Sequence, residues 1–98
     1  MKKITAKAHS SAETWFVYIL RCADGSLYTG ITKDVNRRCK QHNVGTASRY
    51  TRGRLPVSVV YQESQATQSL ALKREVAIKA MSRQEKESLI RSGSSATN

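Results

Sequence analysis

Residues 15–22, WFVYILRC, constrain this chain more than any other stretch. Aromatic and β-branched residues crowd the segment and no charged residue interrupts it before Arg21, so it reads as a buried strand. Ala23-Asp24-Gly25 follows as a turn signal, and residues 26–31, SLYTGI, read as a second strand that completes a hairpin.

The geometry of that turn decides which side chains meet. A two-residue Asp24-Gly25 turn pairs Ala23 with Ser26 and sends Tyr18 and Tyr28 to opposite faces, because strand side chains alternate. A three-residue loop, Ala23-Asp24-Gly25, puts glycine at the left-handed position and pairs Tyr18 with Gly30, leaving both tyrosines on one face. Both turns are compatible with the sequence.

The hairpin is followed by residues 34–43, which read as a helix with Thr32 or Asp34 as N-cap and Gly45 just past its end. Residues 44–56 form a basic loop, residues 57–63 a third strand opened by Pro56, and residues 66–81 a second helix. Ser82-Arg83-Gln84-Glu85 is an S-x-x-E capping box, which starts a third helix running to about residue 91. The expected order is ββαβαα. It describes an α+β domain with a small, mainly antiparallel three-stranded sheet flanked by helices. Residues 1–14 are expected to form a flexible arm, residues 15–91 the domain, and residues 92–98 a disordered polar tail.

Charge narrows the partners. Seventeen Lys and Arg against seven Asp and Glu give a formal net charge of +10, a field that attracts polyanions. The positive charge recurs through the folded region, so nucleic acid is the expected partner. The chain has no apolar run long enough to span a membrane and no signal-peptide core after Met1-Lys2-Lys3-Ile4. A cytoplasmic location is therefore expected. Two cysteines, Cys22 and Cys39, make no disulfide scaffold, and the Cys39/His42 spacing has no second ligand pair to close a zinc site.

The first helix carries a conflict between pattern and polarity. Val35, Arg38, Cys39 and His42 share one face, and Val35 and Cys39 mark it as the face turned toward the protein. A guanidinium there needs a partner or a ligand. On the second helix Glu75 has Ala71, Leu72 and Ile78 three and four residues away, with Lys79 as its charged neighbour. Such a carboxylate either holds a hard cation or pairs with Lys79 or Arg38. The basic loop carries Arg49, Tyr50, Arg52 and Arg54, and cations with an interleaved aromatic suit phosphates and an exposed base. Arg37 and Lys40, on the outer face of the first helix, extend the same track.

Taken in order, these residues resemble the GIY-YIG nuclease superfamily, and most closely its short stand-alone bacterial members. Phe16-Val17-Tyr18 stands for the first signature and Tyr28-Thr29-Gly30 for the second. Arg38 follows Gly30 by eight residues, His42 matches a histidine of many members, and Glu75 matches the metal-binding glutamate. The first signature has lost its glycine and isoleucine, and the only asparagine after Glu75 is Asn98.

The resemblance implies a metal-dependent endonuclease that hydrolyses phosphodiester bonds in DNA or structured nucleic acid, with DNA favoured and DNA repair as the analogous role. It implies Mg²⁺ or Mn²⁺ on Glu75, and Arg38 stabilising charge on the phosphoryl oxygens. It also implies deprotonation of water by Tyr18, Tyr28 or His42. Tyr28 is the expected base, with Tyr18 supporting it through a hydrogen bond. The alternative is a binding module of the same fold that cuts poorly or not at all. A structural protein of a ribonucleoprotein would share the charge but not the ionisable residues on inward faces.

Overall fold

The computed structural model describes residues 14–97. The N-terminal arm expected over residues 1–14 therefore lies outside the described residues except for Thr14. The elements are β1 (Trp15–Arg21), β2 (Leu27–Thr32), α1 (Val35–Asn43), a one-turn α2 (Arg49–Arg52), β3 (Ser58–Gln65), α3 (Gln68–Lys79) and α4 (Arg83–Thr97). The ββαβαα order holds, with α2 added inside the basic loop.

The three strands form one antiparallel sheet in the order β2-β1-β3. The hairpin turn is the three-residue one. The Cys22 and Gly25 amides donate to the Ser26 and Cys22 carbonyls respectively, and Gly25 takes φ +85°. Tyr18 consequently pairs with Gly30 and Leu20 with Tyr28. The β1–β3 register shifts between Ile19 and Leu20, which pair with Tyr61 and Val59, so Val60 is the extra residue of a β-bulge.

Because β1 is central, both of its faces are covered, and this is why its sequence is a continuous apolar run. Val17 and Ile19 pack with Ala71, Ile78 and Ile90 beneath α3 and α4. Tyr18, Leu20 and Cys22 pack with Val35 and Val57 on the opposite face, beneath α1. The face carrying Val17 and Ile19 is hydrocarbon, whereas its neighbour holds the polar groups Tyr18 and His42, each 1% exposed.

Local chemistry sets the helix ends. Asp34 caps α1 by accepting from the Arg37 amide at 3.1 Å, so of the two candidate caps Asp34 does the work. Thr67 caps α3 through the Leu70 amide. The capping box at α4 is reciprocal, with the Glu85 amide donating to Ser82 Oγ at 3.1 Å and the Ser82 amide to Glu85 Oε1 at 2.8 Å. α4 continues past the end expected near residue 91. Gly93 lies directly against the Tyr61 ring, where a Cβ would collide, so this glycine is where the helix meets β3.

Two bidentate contacts lock the layers together. Asn43, the last residue of α1, accepts from the Val57 amide at 2.8 Å and donates to the Val57 carbonyl at 3.0 Å, fixing the entry to β3. Arg21 of β1 grips Glu87 of α4 through both guanidinium nitrogens, at 3.0 and 2.9 Å. Arg83 joins the same carboxylate at 2.9 Å and also donates to the Gly25 carbonyl, tying α4 to the hairpin turn.

Candidate functional site

The face of the sheet beneath α1 brings together most of the residues singled out in the sequence. Tyr18 and Tyr28 point the same way, with ring centroids 6.4 Å apart. His42 reaches in from the last turn of α1 and lies edge-on to both, at 5.9 Å from Tyr18 and 5.1 Å from Tyr28. The Tyr18 hydroxyl is 2.9 Å from His42 Nε2. The charge of Arg38, one turn earlier on α1, bears on the same hydroxyl.

Electrostatics follow from burial. Burial raises the Tyr18 phenol far above its ordinary range, with the Tyr28 ring adding to the shift and Arg38 opposing it. Burial also lowers the His42 imidazole, and the Arg38 guanidinium lowers it further. The pair is therefore a neutral phenol against a neutral imidazole near pH 7.

Gly30 faces Tyr18 across the hairpin. A Cβ on Gly30 would stand 2.6 Å from the Tyr18 hydroxyl oxygen and 2.8 Å from Cζ. The space that glycine leaves is filled by the phenol itself, an aromatic ring covering a glycine of an edge strand.

The basic loop is pinned to this face. Its α2 turn is capped by Ser48, whose Oγ accepts from the Tyr50 amide at 3.1 Å. Tyr50 stacks on Tyr28 at 6.0 Å, and Arg54 lies over the Tyr50 ring at 4.0 Å. Arg54 is heavily engaged: it pairs with Asp24 at 3.1 Å and donates to the Tyr50 carbonyl at 2.7 Å, while its own carbonyl accepts from the Ala23 amide. Arg49 and Arg52 are exposed and, among the described residues, belong to no ion pair. Arg37 and Lys40 are likewise exposed on the outer face of α1.

Sequence reasoning missed several residues here. Thr51, fully buried in α2, places Oγ1 2.8 Å from His42 Nδ1. Trp15 and Lys33 join Arg37 and Arg38 around a groove of about 360 Å³, with the Lys33 ammonium 5.4 Å from the Trp15 ring centroid. Lys79 and Lys86 line a second groove of about 300 Å³ with Tyr28 and Tyr50. That groove wraps the open edge of β2, taking its tyrosines from the α1 layer and its lysines from α3 and α4.

Glu75 belongs to the α3 layer. Its carboxylate pairs with Lys79 at 3.1 Å and is otherwise largely shielded, with 17% side-chain exposure. It thus meets the tyrosine groove by way of Lys79. No cluster of three or more His, Cys, Asp or Glu side chains exists among the described residues. A single carboxylate still suits Mg²⁺, which keeps several waters and takes its remaining oxygens from substrate phosphate. No helix among the described residues is long and apolar enough to cross a membrane.

Comparisons with known proteins agree with the fold. Residues 14–88 match the family model for the GIY-YIG catalytic domain. A UPF0213 protein of Staphylococcus aureus is 54% identical over 79 residues, covering 81% of this chain and 96% of that relative. The solution NMR structure of a UPF0213 protein from Bacillus halodurans matches with a TM-score of 0.52 and 44% identity, over 80% of this chain and 83% of that one. A solution NMR structure of a protein from E. faecalis matches with a TM-score of 0.57 and 38% identity, over 82% and 85% of the two chains.

Proposed function

Because the chain belongs to the GIY-YIG catalytic-domain family, whose members are generally nucleases, we propose that it is a metal-dependent endonuclease hydrolysing phosphodiester bonds in nucleic acid, with DNA as the favoured substrate. One observation carries the reading: the buried hydrogen bond of 2.9 Å between Tyr18 Oη and His42 Nε2, with Arg38 against the same hydroxyl. A core that wanted only stability would be better served by apolar residues at these positions.

The chemistry assigned to these groups is proton transfer. Tyr18 is 1% exposed, so the relay begins when substrate binding admits a water to its hydroxyl; that water gives its proton to the phenol oxygen while the phenol proton passes to His42 Nε2. The resulting hydroxide attacks phosphorus, one phosphorus–oxygen ester bond breaks, the departing oxygen takes a proton from solvent to become an alcohol, and the His42 imidazolium returns its proton to solvent. The relay needs no free phenolate, which burial makes costly at Tyr18. The 2.9 Å hydrogen bond favours Tyr18 with His42 over Tyr28 acting alone, and Tyr28 then serves as the wall against which His42 and Tyr50 rest.

Arg38, whose charge bears on the same oxygen, is assigned to steady negative charge on the phosphoryl group. Glu75 is the carboxylate that would hold the divalent ion, Mg²⁺ or Mn²⁺, which when bound polarises the phosphate and stabilises the leaving oxygen. Arg49, Arg52, Arg37 and Lys40 supply exposed charge for backbone phosphates, with Tyr50 among them.

The pairing of Glu75 with Lys79 favours a second reading, a module that binds nucleic acid and cuts weakly. A cleavage assay separates the two. Labelled single-stranded, duplex and branched DNAs and RNA are incubated with Mg²⁺ or Mn²⁺ against EDTA, with Glu75→Ala in parallel. Metal-dependent cutting that Glu75→Ala loses while it still binds is the expected result. Binding without cutting on every substrate leaves the second reading standing.

A further inference from the structure

We propose that Thr51 is a positioning residue that holds His42 as its Nδ1–H tautomer, so that the loop presenting cations to the substrate also sets the proton acceptor of the site. The case rests on who can donate to whom along one buried chain of groups.

Thr51 is fully buried, and His42 and Tyr18 are each 1% exposed. Thr51 Oγ1 lies 2.8 Å from His42 Nδ1 and donates to the Ser48 carbonyl at 3.3 Å. A hydroxyl has one proton. With that proton on the Ser48 carbonyl, Thr51 meets the imidazole with a lone pair, and Nδ1 must carry the hydrogen. A neutral imidazole has one donor and one acceptor, so Nε2 is then bare and accepts from the Tyr18 hydroxyl at 2.9 Å.

The reverse arrangement costs a hydrogen bond at Tyr18 as well as the one at Thr51. If Nε2 carried the hydrogen, Tyr18 would have to send its own proton to a second acceptor. Among the described residues that hydroxyl hydrogen-bonds only His42, so its proton would be left without an acceptor. In the forward arrangement Tyr18 donates to Nε2, Nδ1–H donates to Thr51 and Thr51 donates to Ser48, so every proton in the chain has an acceptor.

The consequence for proton transfer balances. Nε2 receives the phenol proton as the phenol oxygen receives one from water. The ring becomes an imidazolium, and Nδ1–H stays on Thr51 throughout. Thr51 sits in α2 between Arg49 and Arg52, whose side chains are exposed while its own is buried. One helical turn therefore carries both the outward cations and the inward hydroxyl. The link to catalysis rests on the nuclease reading above, whereas the tautomer does not.

The test is histidine-selective ¹⁵N NMR of the full chain in a His9→Gln background, which leaves His42 as the single histidine. Two-bond proton–nitrogen correlations report which ring nitrogen bears hydrogen. The expected result is Nδ1–H in the parent and in Thr51→Ser, and a switch of part of the population to Nε2–H in Thr51→Val, which keeps the shape but leaves Nδ1–H without its acceptor. Cleavage is expected to fall about tenfold in Thr51→Val and to be restored in Thr51→Ser. An Nε2–H or doubly protonated ring in the parent near pH 7 overturns the proposal without any variant. So does an unmoved Nδ1–H in folded Thr51→Val. A parent that cuts nothing but shows the switch keeps the tautomer assignment and removes the nuclease reading, so the two failures are distinguishable.

Discussion

Tyr18 stands directly opposite Gly30 on the β1–β2 ladder, and its phenol crosses the hairpin to occupy the place a Cβ would take. The glycine of the second signature and the tyrosine of the first are thus two halves of one packing arrangement. Gly30 lets the phenol lie flat over β2, and this posture points the hydroxyl at His42.

Gly30→Ala is expected to destabilise the fold by about 1–3 kcal/mol, the usual cost of forcing a methyl into a packed site. Thermal melting checks it. The penalty should shrink in a Tyr18→Phe background, which removes the hydroxyl that stands nearest the new methyl. Equal penalties in the two backgrounds would show that the alanine meets something other than Tyr18.

Tyr18→Phe and His42→Gln should each lower cleavage by about 10²- to 10⁴-fold, the range for losing a positioned acid or base, while nucleic-acid affinity holds. The double variant should be no slower than the slower single one, since the two groups move one proton between them. Multiplicative losses in single-turnover rates would mean that the residues act separately.

Arg49 and Arg52 differ from Arg54 in what they have left to offer. Alanine at both Arg49 and Arg52 should weaken duplex DNA binding and reduce the slope of log affinity against log salt by roughly 2, about 0.9 for each lost phosphate contact. Arg54→Ala removes the Asp24 pair and the cation over Tyr50, so it should cost about 0.5–1 kcal/mol of stability after solvent screening. A large slope change from Arg54→Ala, with melting unmoved, would reverse these assignments.

Acid should loosen the molecule in two separate windows. Hydrogen bonds from Arg21 hold the Glu87 carboxyl down at about 2, with Arg83 assisting, against an ordinary value of 4.5. A depressed carboxyl contributes fully above its unfolded value, and the contribution is lost as pH falls from about 4.5 toward 2. His42 is also depressed, by burial first, so its neutral form favours folding and that advantage erodes as pH falls below 6.5. Melting temperatures across pH should show both limbs. Glu87→Gln should flatten only the lower one. A lower limb unchanged in Glu87→Gln would assign it to Glu63 and Asp24, the other described carboxylates held low.

Much of this was legible in the sequence because the signals were local. The apolar run of β1, the Ser82 capping box and the shared face of Val35, Arg38, Cys39 and His42 each depend on neighbours within one or two turns. The pairing of Glu75 with Lys79 was open to the same reasoning, being one helical turn apart. The turn was half legible: aspartate-glycine suits two geometries, and the packing of Tyr18 over Gly30 belongs to the one the protein adopts.

What escaped was distant or short. α2 spans four residues, too few for any periodicity, although Ser48 before it is a good cap. Thr51 looks like a loop threonine until the chain folds it back onto His42, nine residues earlier. Arg54 reads as a free cation because its partner Asp24 lies thirty residues away, in the hairpin turn. The extension of α4 depends on Tyr61 arriving beside Gly93, which no helix propensity encodes.

The groove around the open edge of β2 draws Tyr28 and Tyr50 from one layer and Lys79 and Lys86 from the other. A polyanion lying there touches both layers at once, and it can do so only while the sheet holds them in register. By mass action, such a ligand withdraws unfolded chain in proportion to its free concentration. The melting temperature of this small domain then becomes a gauge of occupancy: nucleic acid that spans the edge raises it steadily with dose, whether or not a bond is ever cut.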